Sequence, residues 1–333
     1  MRLSARLLIA GLTALVAGSV ASCSGTAVLP DANGATQPLP SPGVVTARVP
    51  PGAESRDKIA PTPAPVAPPI DVAGAPRGVK AKAGILVDAA TGQLLWAKSA
   101  DVERPIASIT KVMTAYLVIQ AGDLDRRIRV PKGVLNYVFE YGATSAGLLP
   151  GETLTADQLL YGLLLASGAD AAYTLATTYG PGMAAFVAKM NAAARELGMA
   201  HTHFASPDGL PYPTEFSTYS TPADLLILAE AAMRSPVFRS IVGQPFYVLK
   251  KGDGHDAHWW SNDNELIGSY NGAVGIKTGF TDAAGHCLLF EAVRGGRTLL
   301  GVVLGSPDTG PGAAAQDAAR VLNWGFSLKQ GSG

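Results

Sequence analysis

Apolar, strand-like runs stand at both ends of the foldable part of this chain with a long helical stretch between them, and few folds accommodate that order. Residues 81–98 give two apolar runs on either side of residues 89–92, the pattern of a β-hairpin. Near the other end, residues 274–280, 287–293 and 298–304 read as strands, the last two joined by a tight turn through Gly295 and Gly296. Residues 313–326 then read as a helix, with Val321, Leu322 and Trp324 available to pack on a sheet. Between the two groups of strands, residues 159–166 are so continuously apolar that a helix there must be covered on most sides. The architecture this predicts is α+β: a three-layer α/β/α fold whose mostly antiparallel sheet is built from both ends of the chain, flanked by helices, with a helical subdomain inserted. A cleft is expected where the inserted lobe meets the sheet.

The chain ahead of residue 81 has a different character. Arg2 and Arg6 precede an apolar run over residues 7–20 and then small residues, the layout of a secretory signal peptide over residues 1–22. That run is too short to be a comfortable membrane span. Val20, Ala21 and Ser22 ahead of Cys23 resemble the lipobox of bacterial lipoproteins, which implies lipidation of Cys23; ordinary cleavage near the same small residues is the other outcome. Residues 25–80 hold 12 of the chain's 24 prolines and few aromatics, so they read as an extended tether. At about 3.1 Å per residue, such a tether could hold a folded domain on the order of 100 Å from a lipid anchor. The expected organisation is signal peptide 1–22, lipidated N-terminus and linker 23–80, and catalytic domain 81–333.

Charge and cysteine content exclude other classes. Lys plus Arg and Asp plus Glu are both 26, so no basic surplus points to nucleic acid. Cys23 and Cys287 are the only cysteines, with no CxxC or Cys/His cluster to hold structural zinc. Cys287, without a partner if Cys23 carries lipid, is expected in the core. His201 with His203, and His255 and His258 near Asp253 and Asp256, fix no metal geometry by spacing, so no metal is expected. No histidine completes a Ser/His/Asp pattern.

Three short patterns carry the chemistry. Ser108 stands three residues before Lys111 at the mouth of a helix entered through Pro105, which places both side chains on one helical face. A lysine whose pKa is lowered by burial can take the proton of a neighbouring serine, making Ser108 a nucleophile and Lys111 its base. Fifty-nine residues on, Ser167 and Gly168 follow the apolar helix, where a hydroxyl pushed into the cleft could relay a proton. A further 110 residues on, Lys277, Thr278 and Gly279 alternate along an edge strand. Lys277 and Thr278 could bind a carboxylate there, and Gly279 would let substrate lie close to the backbone. Taken singly, these are a helix start, a helix stop and an edge strand protected by a lysine.

In this order the three patterns resemble the penicillin-recognising serine enzymes. More closely, the chain is similar to the serine D-alanyl-D-alanine carboxypeptidases, the low-molecular-mass penicillin-binding proteins of peptidase family S11. The likeness rests on PIASITKVMTA, LLLASGADAA, SPDGL at residues 206–210, STPADL at residues 220–225 and GIKTGFTDAAGHCL, and runs from about residue 81 to 326. The resemblance implies a β-lactamase/transpeptidase-like fold and acyl transfer on peptidoglycan stem peptides ending in D-Ala-D-Ala, with no cofactor. Ser108 would attack the penultimate D-alanine carbonyl, the backbone N–H groups of Ser108 and Phe280 would form the oxyanion hole, and Ser167 would relay the proton. Lys277 and Thr278 would hold the terminal carboxylate. β-Lactam antibiotics would acylate the same serine, and an N-terminal lipid would anchor the protein at the outer face of the cytoplasmic membrane. One departure matters: the family's second pattern is usually Ser-x-Asn, and here Ala169 takes the third position. That predicts slower turnover or weaker β-lactam acylation, with Asp170 the nearest polar candidate to compensate. D,D-endopeptidase activity, β-lactamase activity (with Glu140 or Glu152 as the acids in the relevant interval) and a non-catalytic peptidoglycan-binding lipoprotein are the alternatives.

Overall fold

A computed structural model describes residues 75–307 and 312–329. The expectations for residues 1–74, Cys23 included, lie outside these. Asp317 holds the chain where β1 begins: its carboxylate accepts from the amides of Lys80 (3.0 Å) and Ala81 (2.7 Å) and from the Ser306 hydroxyl (2.8 Å).

The chain enters through the hairpin β1 (Ala83–Asp88) and β2 (Leu94–Lys98), then a two-residue β3 (Arg104–Pro105) and one turn of 3-10 helix (Ala107–Thr110) that leads into α1 (Lys111–Ala121). The inserted lobe follows: β4 (Arg127–Arg129), α2 (Val134–Glu140), β5 (Thr153–Thr155), α3 (Ala156–Leu164), α4 (Ala169–Tyr179) and α5 (Met183–Leu197). Next come β6 (Tyr219–Ser220), α6 (Pro222–Met233), α7 (Pro236–Val242) and a ribbon of β7 (Phe246–Leu249) and β8 (His258–Ser261). The chain closes with β9 (Ala273–Thr281), β10 (Gly285–Arg294), β11 (Arg297–Ser306) and α8 (Ala313–Ser327).

The main sheet has the order β2-β1-β11-β10-β9, antiparallel throughout. Its central pairing joins the two ends of the folded chain, with Leu86 opposite Gly301. Period-two alternation supplies both faces with apolar side chains. Leu86, Leu288, Phe290, Leu299 and Val303 pack on Ala318, Val321 and Leu322 of α8. Ile85, Leu289 and Val302 face the opposite way, into the core shared with α1 and α6. The result is the expected three-layer α+β fold. Gly295 and Gly296 adopt φ of 55° and 77°, the left-handed pair that a two-residue hairpin between β10 and β11 requires.

Local signals set the helix ends. Thr155 and Gln158 form a capping box on α3, and Thr221 caps α6 with Pro222 in its first turn, which explains the STPADL segment. The buried apolar helix is shorter than its sequence suggested: α3 stops at Leu164, and residues 165–168 form a connection to α4.

Candidate active site

Pro105 does not lie in the helix. It ends β3, which pairs with β6, and the chain then turns through Ala107 at φ 47°. That left-handed residue directs Ser108 onto the short 3-10 turn, one residue-type cost of order 1–3 kcal/mol that the surrounding packing sustains. Lys111 begins α1 and is 2% exposed. Its Nζ lies 2.8 Å from Ser108 Oγ and donates to the carbonyl of Asp208 at 3.0 Å. Burial pushes the Lys111 pKa down to about 8, against the opposing pull of Asp208, Asp170 and Asp263.

The carbonyl that receives Lys111 belongs to the SPDGL segment, which is fastened on three sides. Thr114 of α1 donates to the Pro207 carbonyl at 2.6 Å, Tyr137 of α2 donates to Asp208 Oδ2 at 2.8 Å, and Ser206 donates to Asp208 Oδ1 at 2.8 Å. Lys111 is therefore held by a fixed main-chain acceptor. Ala169 is buried and lines the cavity that also contains Ser108 and Lys111. The Asp170 carboxylate makes its hydrogen bonds elsewhere, and reaches Lys111 only through its charge, which favours the ammonium form. It accepts from the Ser145 hydroxyl and from the amides of Ala146, Leu148 and Ala171, at 2.7 to 2.9 Å, and so moulds the loop over residues 144–148.

Ser167 sits between α3 and α4 rather than on a helix end, at φ 56°. It lines a cavity of about 300 Å³ together with Ser108, Thr144, Asp263 and Thr278. A second cavity of about 260 Å³ opens on the other side of Ser108, bounded by Lys111, Tyr141, Ala169, Asp208 and Thr281. Ser108 thus lines both cavities.

Strand β9 is the sheet edge beside them, as expected, but its residues divide the work differently. Thr278 lines the larger cavity, whereas Lys277 is 1% exposed and lies behind it, donating to Thr278 Oγ1 at 3.3 Å. Burial and the neighbouring Lys111 charge push the Lys277 pKa down to about 7, with Asp263 opposing. A lysine so buried is no edge-protecting lysine. Gly279 serves the protein's own packing: a Cβ there would lie 2.8 Å from the Ile106 carbonyl oxygen and 3.1 Å from the Ser108 amide nitrogen. Its missing side chain lets β9 come against the 3-10 turn and sets Phe280 beside Ser108. His286 of β10 pairs with Phe280, its ring 4.5 Å away.

Other singled-out residues have structural employment. Glu152 accepts from the amides of Leu149 and Asp256 and pairs with His258 at 3.1 Å, and Glu140 is exposed at the end of α2. Cys287 is buried in the core, where burial pushes its thiol up to about 11. Sequence reasoning assigned no role to Tyr137, Asp208 or Asp263. The first two act through a main-chain carbonyl, which leaves no residue-type signal, and Asp263 reaches the cavity only because β8 ends beside the Ser167 loop, with the Asp263 amide donating to the Leu165 carbonyl at 3.1 Å.

Residues 71–308 match the family described as Peptidase_S11, D-alanyl-D-alanine carboxypeptidase. The chain is 40% identical over 262 residues to the D-alanyl-D-alanine carboxypeptidase of Streptomyces sp. (strain K15), covering 75% of this chain and 88% of that one. It is 39% identical over 249 residues to D-alanyl-D-alanine carboxypeptidase DacB2 of Mycobacterium tuberculosis, covering 74% and 83%. Among solved structures, the Streptomyces K15 DD-transpeptidase superposes with a TM-score of 0.70 at 40% identity, covering 75% of this chain and 98% of that one.

Proposed function

The chain belongs to the D-alanyl-D-alanine carboxypeptidases of peptidase family S11, serine-type hydrolases of the cell wall, and on that premise we propose that Ser108 is the residue acylated by the stem peptide. The observation that carries this reading is the 2.8 Å contact between the Ser108 hydroxyl and a buried lysine whose pKa is near 8. Neutral Lys111 takes the Ser108 proton as Oγ attacks the penultimate D-alanine carbonyl. The N–H groups of Ser108 and Phe280 receive the developing oxyanion, in a geometry that the Gly279 contact keeps tight. Thr278, backed by the Lys277 charge, binds the terminal carboxylate, and Ser167 passes the proton to the departing D-alanine amine. Water then cleaves the acyl-enzyme. β-Lactams, to which the family is sensitive, form their ester at the same oxygen.

A second reading concerns the acceptor. The similarity to a solved DD-transpeptidase favours an amine that competes with water for the acyl group. The protein works at the cell envelope. We further propose that residues 81–333 form the catalytic domain, that Cys23 is lipidated and that residues 23–80 tether the domain; the signal-like start and the proline content support this. Among the described residues no helix is long and apolar enough to cross a membrane.

The test is labelling with fluorescent penicillin, peptide mapping of the adduct, and D-alanine release from a D-Ala-D-Ala pentapeptide with and without an amine acceptor. Ser108→Ala should show no adduct and no release. Release at the wild-type rate would overturn the assignment.

A further inference from the structure

The β7–β8 ribbon carries aromatic side chains on both faces, and only one face is used by the fold. Its register sets Tyr247 opposite Trp260 and Leu249 opposite His258 on the inner side. There the Tyr247 ring stacks 3.9 Å from Tyr161 of α3, and Trp260 Nε1 donates to the Ala146 carbonyl at 2.7 Å. His258 pairs with Glu152 on the same side. The ribbon is thereby fixed to the lobe that borders the active site.

The outer face sets Val248 opposite Trp259 and Phe246 opposite Ser261. Phe246 and Trp259 lie parallel, with centroids 5.0 Å apart and planes 8° from each other, and are 48% and 63% exposed. Trp259 Nε1 donates to Ser261 Oγ at 3.2 Å, which holds the indole in place along the ribbon. A rigid, exposed aromatic strip of this kind marks a binding surface. The strip leads directly to the catalytic cleft, because Ser261 is followed by Asn262 and then by Asp263, which lines the cavity with Ser108.

We infer that this strip is a platform for the glycan strand of the cell-wall polymer, a contact that rests on the proposed reading of Ser108 as the stem-peptide site. Trp259 is four residues from Asp263, about 13 Å of extended chain. A stem peptide of four or five residues spans up to about 18 Å. The sugars that bear a peptide bound at Ser108 are therefore within reach of the platform. Pyranose rings present flat C–H faces that lie on aromatic faces, and they are matched by a strip with a hydroxyl beside it. Residues 246–249 and 258–261 of the ribbon include no lysine, arginine, aspartate or glutamate, which argues against an anionic lipid surface; at its far tip Lys251 pairs with Asp256 at 2.9 Å and Arg127 of β4 donates to the Asp253 carbonyl.

The experiment uses the full chain and two substrates. On intact sacculi, Phe246→Ala/Trp259→Ala should raise KM about tenfold, the effect of losing two aromatic contacts, with kcat unchanged. Hydrolysis of the free pentapeptide and acylation by penicillin should match wild type. Binding to sacculi stripped of stem peptides should weaken by a similar factor, and Phe246→Tyr/Trp259→Tyr should restore most of it. Ser108→Ala should still bind the stripped sacculi, so a failed catalytic assignment would be told apart from a failed platform. Unchanged KM and unchanged binding to stripped sacculi would overturn the proposal, as would loss of binding to phospholipid vesicles with sacculus binding intact. If the double alanine variant loses pentapeptide turnover as well, Trp259→Gln, altered at one exposed position, decides by the same comparison.

Discussion

Gly279→Ala tests how closely the nucleophile depends on the sheet edge. The added Cβ would stand 2.8 Å from the Ile106 carbonyl oxygen, 3.1 Å from the Ser108 nitrogen and 3.2 Å from the Ile109 nitrogen, all backbone atoms that cannot rotate aside. Ordinary van der Waals contact begins near 3.4 Å, so β9 and the 3-10 turn must separate by about 0.6 Å. The same movement widens the gap between the Ser108 and Phe280 amides proposed to receive the oxyanion. A misplacement of about 1 Å costs roughly 10²-fold in rate, and loss of one oxyanion donor 10²–10³-fold, so acylation should slow by about 10²-fold. That corresponds to about 2.7 kcal/mol of transition-state stabilisation. Stability should fall far less, because the displaced strand is at the sheet edge and the core behind it is untouched. Stopped-flow acylation by a chromogenic β-lactam, read beside a thermal melt, separates the two effects. Acylation within threefold of wild type in a folded variant would refute the claim that this glycine sets the oxyanion geometry.

Two further outcomes follow from the site. The neutral, basic form of Lys111 accumulates as pH rises through about 8, while the Lys277 ammonium is lost as pH rises through about 7, so acylation should peak between these values and fall on both sides, with apparent pKa values that belong to the pair. In Lys277→Met only the rising limb should remain, at lower overall rate; a flat profile between pH 6 and 8 in the wild type would contradict the assignment of Lys111 as base. Asp170→Ala leaves the Ala146 and Leu148 amides without their acceptor and should lower stability by about 3 kcal/mol in urea unfolding while slowing acylation through the loosened 144–148 loop, with Asp170→Asn intermediate.

The strands were legible because their apolar residues alternate and their turns are marked by glycine, and α8 because its periodic face is unbroken. That Ser108, Lys111, Ser167 and Thr278 border one cleft was legible because the functions proposed for them belong to side chains at fixed spacing. What escaped notice works through the main chain or through space. The Asp208 carbonyl accepts from Lys111 through the main chain, and any residue type could have supplied it. Gly279 was read as room for substrate, and it is also room for the 3-10 turn, a second role that is visible only when two backbones distant in sequence are set side by side. Ala107 and Ser167 adopt positive φ that neither residue type advertises, because tertiary packing imposes it. The ribbon's outer aromatics were passed over for a related reason: alternation says that one face is buried but not that the other faces a substrate.

The pairing of β1 with β11 also sets a clock on the enzyme's biosynthesis. A nascent chain that has emerged as far as residue 270 already contains Ser108 and Lys111, but β9 is missing, and β1 has no central neighbour until β11 is made. Contacts spanning more than 200 residues form late, since the chain must be nearly complete before their loop can close. Reactivity towards β-lactams should therefore switch on only at the end of synthesis, and a chain cut short before β9 should carry an intact serine and lysine that no antibiotic can label.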